Sequence, residues 1–169
     1  MPCPLPETDM GFDRSIIEDY AQGGKLLRQA VFGLVTEDCL AHPVPGTWSI
    51  HEIVIHLQDS DRIGIHRMQR IVAEDNPLLI GFDESAFIRH LRPDEQSLED
   101  ALTLFEIGRR QFARVLRTLP DEYYERQAVH NEIGKVSLGK LLIKYQEHLL
   151  HHLKFLKEKR RLLGKPSTA

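Results

Sequence analysis

The chain is poor in cysteine, has a single tryptophan, and contains no long apolar run. Its 169 residues include only two cysteines, Cys3 and Cys39, with no C-x-x-C spacing. That is too few for a disulfide framework. Cys39 has no activating base beside it and reads as a buried or surface-neutral thiol, while Cys3 falls in a tail. No stretch approaches the roughly 18 apolar residues that a membrane-spanning helix needs, so no membrane partner is expected. The opening "MPCPLPETDMGFD" lacks a basic stretch followed by an apolar one, so a cytoplasmic location without a signal peptide is the expectation. Basic residues are not in excess: 22 Lys and Arg stand against 25 Asp and Glu. That balance is a poor match to nucleic-acid phosphates and leaves a small molecule as the expected partner. Internal repeats, low-complexity tracts and convincing strand alternation are missing too.

What is present is a globular composition, 41% hydrophobic and 28% charged. The length fits one domain over 1–169, with tails at 1–12 and 164–169. Four long segments carry helical period. The first runs from about Arg14 to Val35 on Ile16, Ile17, Tyr20, Leu27, Ala30, Val31 and Leu34, with a bend available at Gly23-Gly24. "AHPVPG" (41–46) stops any helix, because two prolines remove donors and push their neighbours to extended backbone. "TWSIHEI" then supplies a capping box, Ser49 with Glu52, and a hydrophobic staple of Trp48 on Ile53. That second helix continues to Asn76-Pro77. A loop-like region follows, with a short helix around Glu84 to His90. Ser97 caps a third helix ending before Pro120, and Val136 or Ser137 starts a fourth that Gly164 stops. The expected fold is all-α, a four-helix bundle whose long connections of about 17 to 20 residues can host a site mouth.

The histidines carry the chemistry. On the fourth helix His148 and His152 stand about 40° apart at 100° per residue. They share the side of Leu141, Tyr145 and Phe155, whereas His151 points to solvent. On the second helix His56 shares a face with Ile53, Leu57, Ile63 and Ile71, and His51 and His66 are expected to lie outside that face. Buried imidazoles need partners. Either carbonyls and carboxylates satisfy each ring separately, or a metal satisfies all three at once in an open site. Period alone does not establish that His56 meets the other two.

Two segments also resemble the signatures of the DinB/YfiT-like family. "WSIHEIVIHLQDSDRIGIHRMQ" (48–69) has a tryptophan, a capped helix start, and histidine-leucine followed by acidic residues. "GKVSLGKLLIKYQEHLLHHLKFL" (134–156) has a glycine, a Ser-Leu helix start and H-x-x-x-H. The resemblance implies a bundle of up-down-down-up topology and a divalent metal, zinc or nickel, held by His56, His148 and His152. It implies activity as a thiol S-transferase using a low-molecular-weight thiol, or as a hydrolase using metal-bound hydroxide. A metal-binding or interaction protein without catalysis is the third reading. It also implies a possible homodimer, for which Ile143 and Leu150 on the far side of the last helix are candidates, packing of that pair under a loop being the alternative.

Other residues get weaker roles. Asp59 and Glu52 flank His56 by one turn and could orient its ring, although Asp59 reads as solvated and Glu52 is committed to capping. Arg67 is expected at the surface, the alternative being an inward guanidinium that holds a substrate carboxylate. Tyr145 is expected to fill the core, the alternative being proton donation. His90 and His130 lie in or near the long connections, and "KFLKEKRR" (154–161) reads as a solvated helix end.

Overall fold

Three serines place three of the four long helices. Ser49 Oγ accepts from the Glu52 N–H, Ser97 Oγ from Asp100, and Ser137 Oγ from Lys140. Each satisfies one of the donors that a helix start leaves orphaned. At Ser49 the Glu52 carboxylate also reaches back to the serine N–H at 2.7 Å, completing the capping box.

The computed structural model describes residues 12–166. Cys3, with 1–11 of the first expected tail and 167–169 of the second, lies outside the described residues. In chain order the helices are α1 (Ser15–Val31), α2 (Thr36–Leu40), α3 (Ile50–Ala73), α4 (Glu84–His90), α5 (Leu98–Thr118) and α6 (Leu138–Leu162). The long ones, α1, α3, α5 and α6, form a four-helix bundle in which α1 and α3 each pack on both α5 and α6. Side-chain pairs show the sense of each packing. Glu18 meets Arg117 and Arg28 meets Glu99, so α1 and α5 are antiparallel. Thr47, just before α3, meets Lys159, and farther along Arg67 meets Tyr145, so α3 and α6 are antiparallel as well.

Two local expectations need correction. Helix α1 stops at Val31 rather than Val35, and Gly33 turns the chain at φ 76°. The fourth segment is also preceded by strands. β1 (Leu78–Leu79), β2 (Gln127–His130) and β3 (Gly134–Ser137) form a small sheet ordered β1-β2-β3, with β1 parallel and β3 antiparallel to β2. Strands of two and four residues are too short to show a period, and β2 alternates only exposed–buried–exposed–buried. The one readable trace of this hairpin is Gly134, which sits at φ 75° where the chain reverses.

The core is two apolar clusters, one around Tyr20, Met68, Phe112 and Leu138, the other around Leu27, Ile53, Phe105 and Leu149. The buried Arg109 guanidinium lies between them, 4.4 Å from the Tyr20 ring centre and 4.5 Å from that of Phe105. It donates twice to Asp61 Oδ1 of α3, and to Gln146 Oε1 and the Tyr145 carbonyl of α6. One side chain of α5 thereby ties together the two helices that carry the histidines.

Gly23 and Gly24 lie within the continuous helix α1, where they let α5 and α6 close on it. A Cβ at Gly24 would meet the Glu106 Cα at 2.5 Å, a backbone atom that cannot rotate away. Gly24→Ala is expected to destabilise the fold by about 1–3 kcal/mol through overpacking. Gly108→Ala meets only the mobile Ile65 Cδ1 at 3.0 Å and is expected to be near neutral, because alanine's helix propensity offsets the contact. Urea unfolding of the two variants side by side checks the contrast.

Candidate metal centre

Helix geometry brings His148 and His152 onto one side of α6, and the antiparallel packing of α3 sets His56 against them. Its Nε2 lies 3.0 Å from His148 Nε2, which lies 3.1 Å from His152 Nε2. All three ligand atoms fall within 4.8 Å of one another, the one such group of histidine, cysteine or carboxylate side chains among the described residues. His56 and His152 are buried and His148 is half-buried.

The donor set fits a cation. A neutral imidazole Nε2 offers one lone pair or one proton, so His148 Nε2 cannot make good hydrogen bonds to both neighbours at once. Three lone pairs converging on one ion remove that conflict, and nitrogens about 2.0–2.1 Å from a tetrahedral ion would lie a little over 3 Å apart. The rings are also held in the neutral, ligating form. Burial, then repulsion from His148 and His152, pulls His56 down to about 3. Burial and its histidine neighbours pull His148 and His152 each to about 4.

Two cavities reach the triad. His152 lines a cavity of about 420 Å³ whose walls include Val44, Trp48, Ile53 and Phe155. Trp48 and Ile53, the staple pair, are thus also cavity wall, and the indole lies 4.9 Å from the His56 ring centre. His148 lines a smaller cavity of about 130 Å³ with Ser60, Arg67, Glu84, His130, Lys144 and Tyr145.

Several expectations change here. Arg67 is not a surface arginine: it is half-buried and donates to the Tyr145 hydroxyl at 3.1 Å and to the Ile80 carbonyl. Tyr145 is buried as expected, but its hydroxyl faces the smaller cavity rather than the core alone. Asp59 is buried, not solvated, and its carboxylate accepts from Arg62 at 2.9 Å rather than from an imidazole. His51 is buried as well, because α4 and the turn at Pro93–Glu95 fold over that face of α3. His130 is buried in β2, where Nδ1 accepts from the Glu132 N–H. His66, His90 and His151 are exposed. Cys39 is buried, and burial pushes its thiol up, which leaves it protonated and unreactive. Ile143 and Leu150 are exposed, so no loop among the described residues covers them.

Sequence reasoning missed Glu84. It opens α4, and its Oε2 lies 3.9 Å from His56 Nε2. Burial raises this carboxyl's proton affinity, with Lys144 and Arg67 pulling the other way. Nothing local marks it, because the connection between α3 and α5 carries it to the triad from outside the bundle pattern. Asp61 and Arg109 were missed too, although Arg109 stands on the stripe Leu102, Phe105, Phe112, Leu116, where a charge is out of place.

A four-helix bundle with a histidine group shared between its second and fourth long helices defines a class of bundle protein. The chain belongs to the DinB superfamily, whose family model matches residues 20–156. It is 30% identical over 129 residues to a protein of Oceanobacillus iheyensis, covering 76% of this chain and 74% of that one. It is 27% identical over 140 residues to YfiT of Bacillus subtilis, covering 82% and 78%. Both relatives are named as inferred metal-dependent hydrolases. The solved structure of YfiT, described as an unusual four-helix bundle, superposes with a TM-score of 0.85 at 22% identity, over 96% of this chain and 94% of that one.

Proposed function

We propose that the chain is a divalent-metal enzyme, held to its ion by His56, His148 and His152, that joins a low-molecular-weight thiol to a small electrophile. The observation that supports a two-substrate reaction is the pair of cavities, the more polar on His148 and the more apolar on His152. A bound divalent ion, zinc or nickel, would supply Lewis acidity that makes a thiol or a water nucleophilic at neutral pH. Glu84, beside His56, is placed to take the proton that the nucleophile loses. Arg67 and Lys144, set in the smaller cavity's wall alongside Glu84 and Glu132, offer cations that can pair with the carboxylates of a polar thiol. The larger, mostly apolar cavity takes the electrophile and excludes water from it.

A second reading, hydrolysis, is favoured by the names of the relatives and by the same Glu84, which could equally take a proton from water. The assay that separates them loads the untagged chain with zinc or nickel and supplies 1-chloro-2,4-dinitrobenzene with bacillithiol, mycothiol or cysteine, beside a panel of ester and amide substrates without thiol. Metal-dependent loss of thiol with conjugate formation supports the transferase; turnover only in the thiol-free panel supports the hydrolase. Glu84→Gln is expected to lower turnover by about 100-fold while metal content stays unchanged. Unchanged turnover would remove Glu84 from the mechanism.

A further inference from the structure

The larger cavity ends on a charge that the fold leaves nearly unpartnered. Lys159, on the same helix as His152, lines it and is only 4% exposed. An ammonium has three donors, and Lys159 Nζ uses one, to Thr47 Oγ1 at 2.7 Å. No described carboxylate comes within ion-pair reach. Glu158, the acidic residue of the cavity lining, is paired with Arg161, and Glu52 is committed to the α3 cap. A buried cation in an apolar wall is costly without an ion-pair partner, and burial pulls this ammonium's proton affinity down, which Glu52 at longer range only partly offsets. Fold stability gives no reason to retain a lysine here, since methionine would fill the same space without the penalty.

Resting on the reading of this cavity as the electrophile's site, we propose that its substrate is an apolar carboxylic acid whose carboxylate pairs with Lys159. Its hydrocarbon part lies against Trp48, Ile53 and Phe155. Lys159 lies seven positions after His152, a rise of about 10 Å between their backbone positions along α6, so the two ends of the cavity wall are well apart. That spacing selects an acid with a ring or chain of several carbons between the reacting atom and the carboxylate. Short acids cannot reach both ends.

The single tryptophan lines the cavity, so its fluorescence, excited at 295 nm, reports occupancy directly. The full chain is titrated with 4-phenylbutyrate and with 4-phenylbutanol, the same body without the charge, both as purified and after chelation. Wild type is expected to bind the acid at least ~10-fold more tightly than the alcohol, before and after chelation. Lys159→Met is expected to reduce that ratio to about 2-fold or less with alcohol binding retained, and Lys159→Arg to keep it. Equal binding of acid and alcohol by wild type would overturn the proposal, and that comparison needs no variant. So would a preference that survives in Lys159→Met, or one that vanishes on chelation, which would put the carboxylate on the metal. Because binding is read without thiol or turnover, a failed transferase assay would leave this result standing, and the reverse holds.

Discussion

Replacing His148 by alanine is expected to empty the metal centre while leaving the bundle folded. His148 is the hub of the triad, in contact with both His56 and His152 through one nitrogen. Untagged wild-type protein, desalted and analysed by mass spectrometry, should carry about one divalent ion per chain. The variant should carry almost none, and its zinc affinity in a competition titration should fall by more than about 100-fold, since loss of an outer partner alone costs 10- to 100-fold. Its stability without metal should change little. The ring is half-buried and its Nε2 contacts in the described structure are to other imidazoles. His151→Ala, beside His152 in sequence but on the exposed face, should keep its full metal content. Full occupancy in His148→Ala would make these three rings packing residues and withdraw the enzyme reading with them.

The second large effect is one of folding. Arg109→Met is expected to cost about 3–5 kcal/mol in urea unfolding, because it leaves Asp61 charged, buried and unpaired. Total stabilities of roughly 5–15 kcal/mol make that a large fraction of the whole. Burial pushes the Asp61 carboxyl up and the guanidinium pulls it back; Oδ2 has no partner of its own. Once the guanidinium is gone, only the upward push remains, so the variant should unfold less readily in mild acid, where Asp61 takes up a proton, than at neutral pH. Asp61→Leu combined with Arg109→Met should recover more than half of the loss, since no lone charge is then buried. A cost below about 1 kcal/mol for Arg109→Met would mean the carboxyl is already protonated in the fold. The exposed pairs Glu18–Arg117 and Arg28–Glu99 should matter far less, because water already solvates their charges.

Much of this architecture is local and was therefore legible. Serine caps at 49, 97 and 137 and apolar stripes three and four residues apart depend on neighbours within one or two turns. So does the placing of His148 and His152 on one side of α6, with His151 turned away. The misreadings have a common cause. Arg67, Asp59 and His51 were judged by their own helix, but their burial comes from segments that arrive from elsewhere: the 76–97 connection, the β2–β3 hairpin and α6.

The sequence alone thus determined the four long helical segments, where they start, and which histidines could face inward, because capping and a 3.6-residue period act through backbone bonds a few residues long. Tertiary structure alone decided that Glu84 meets His56 across 28 positions, that Arg109 bridges α3 and α6, and that Lys159 is buried with no ion-pair partner among the described residues. Those are distances between elements, set by how ridges, glycines and connections pack, and a period has no information about the distance from one helix to the next.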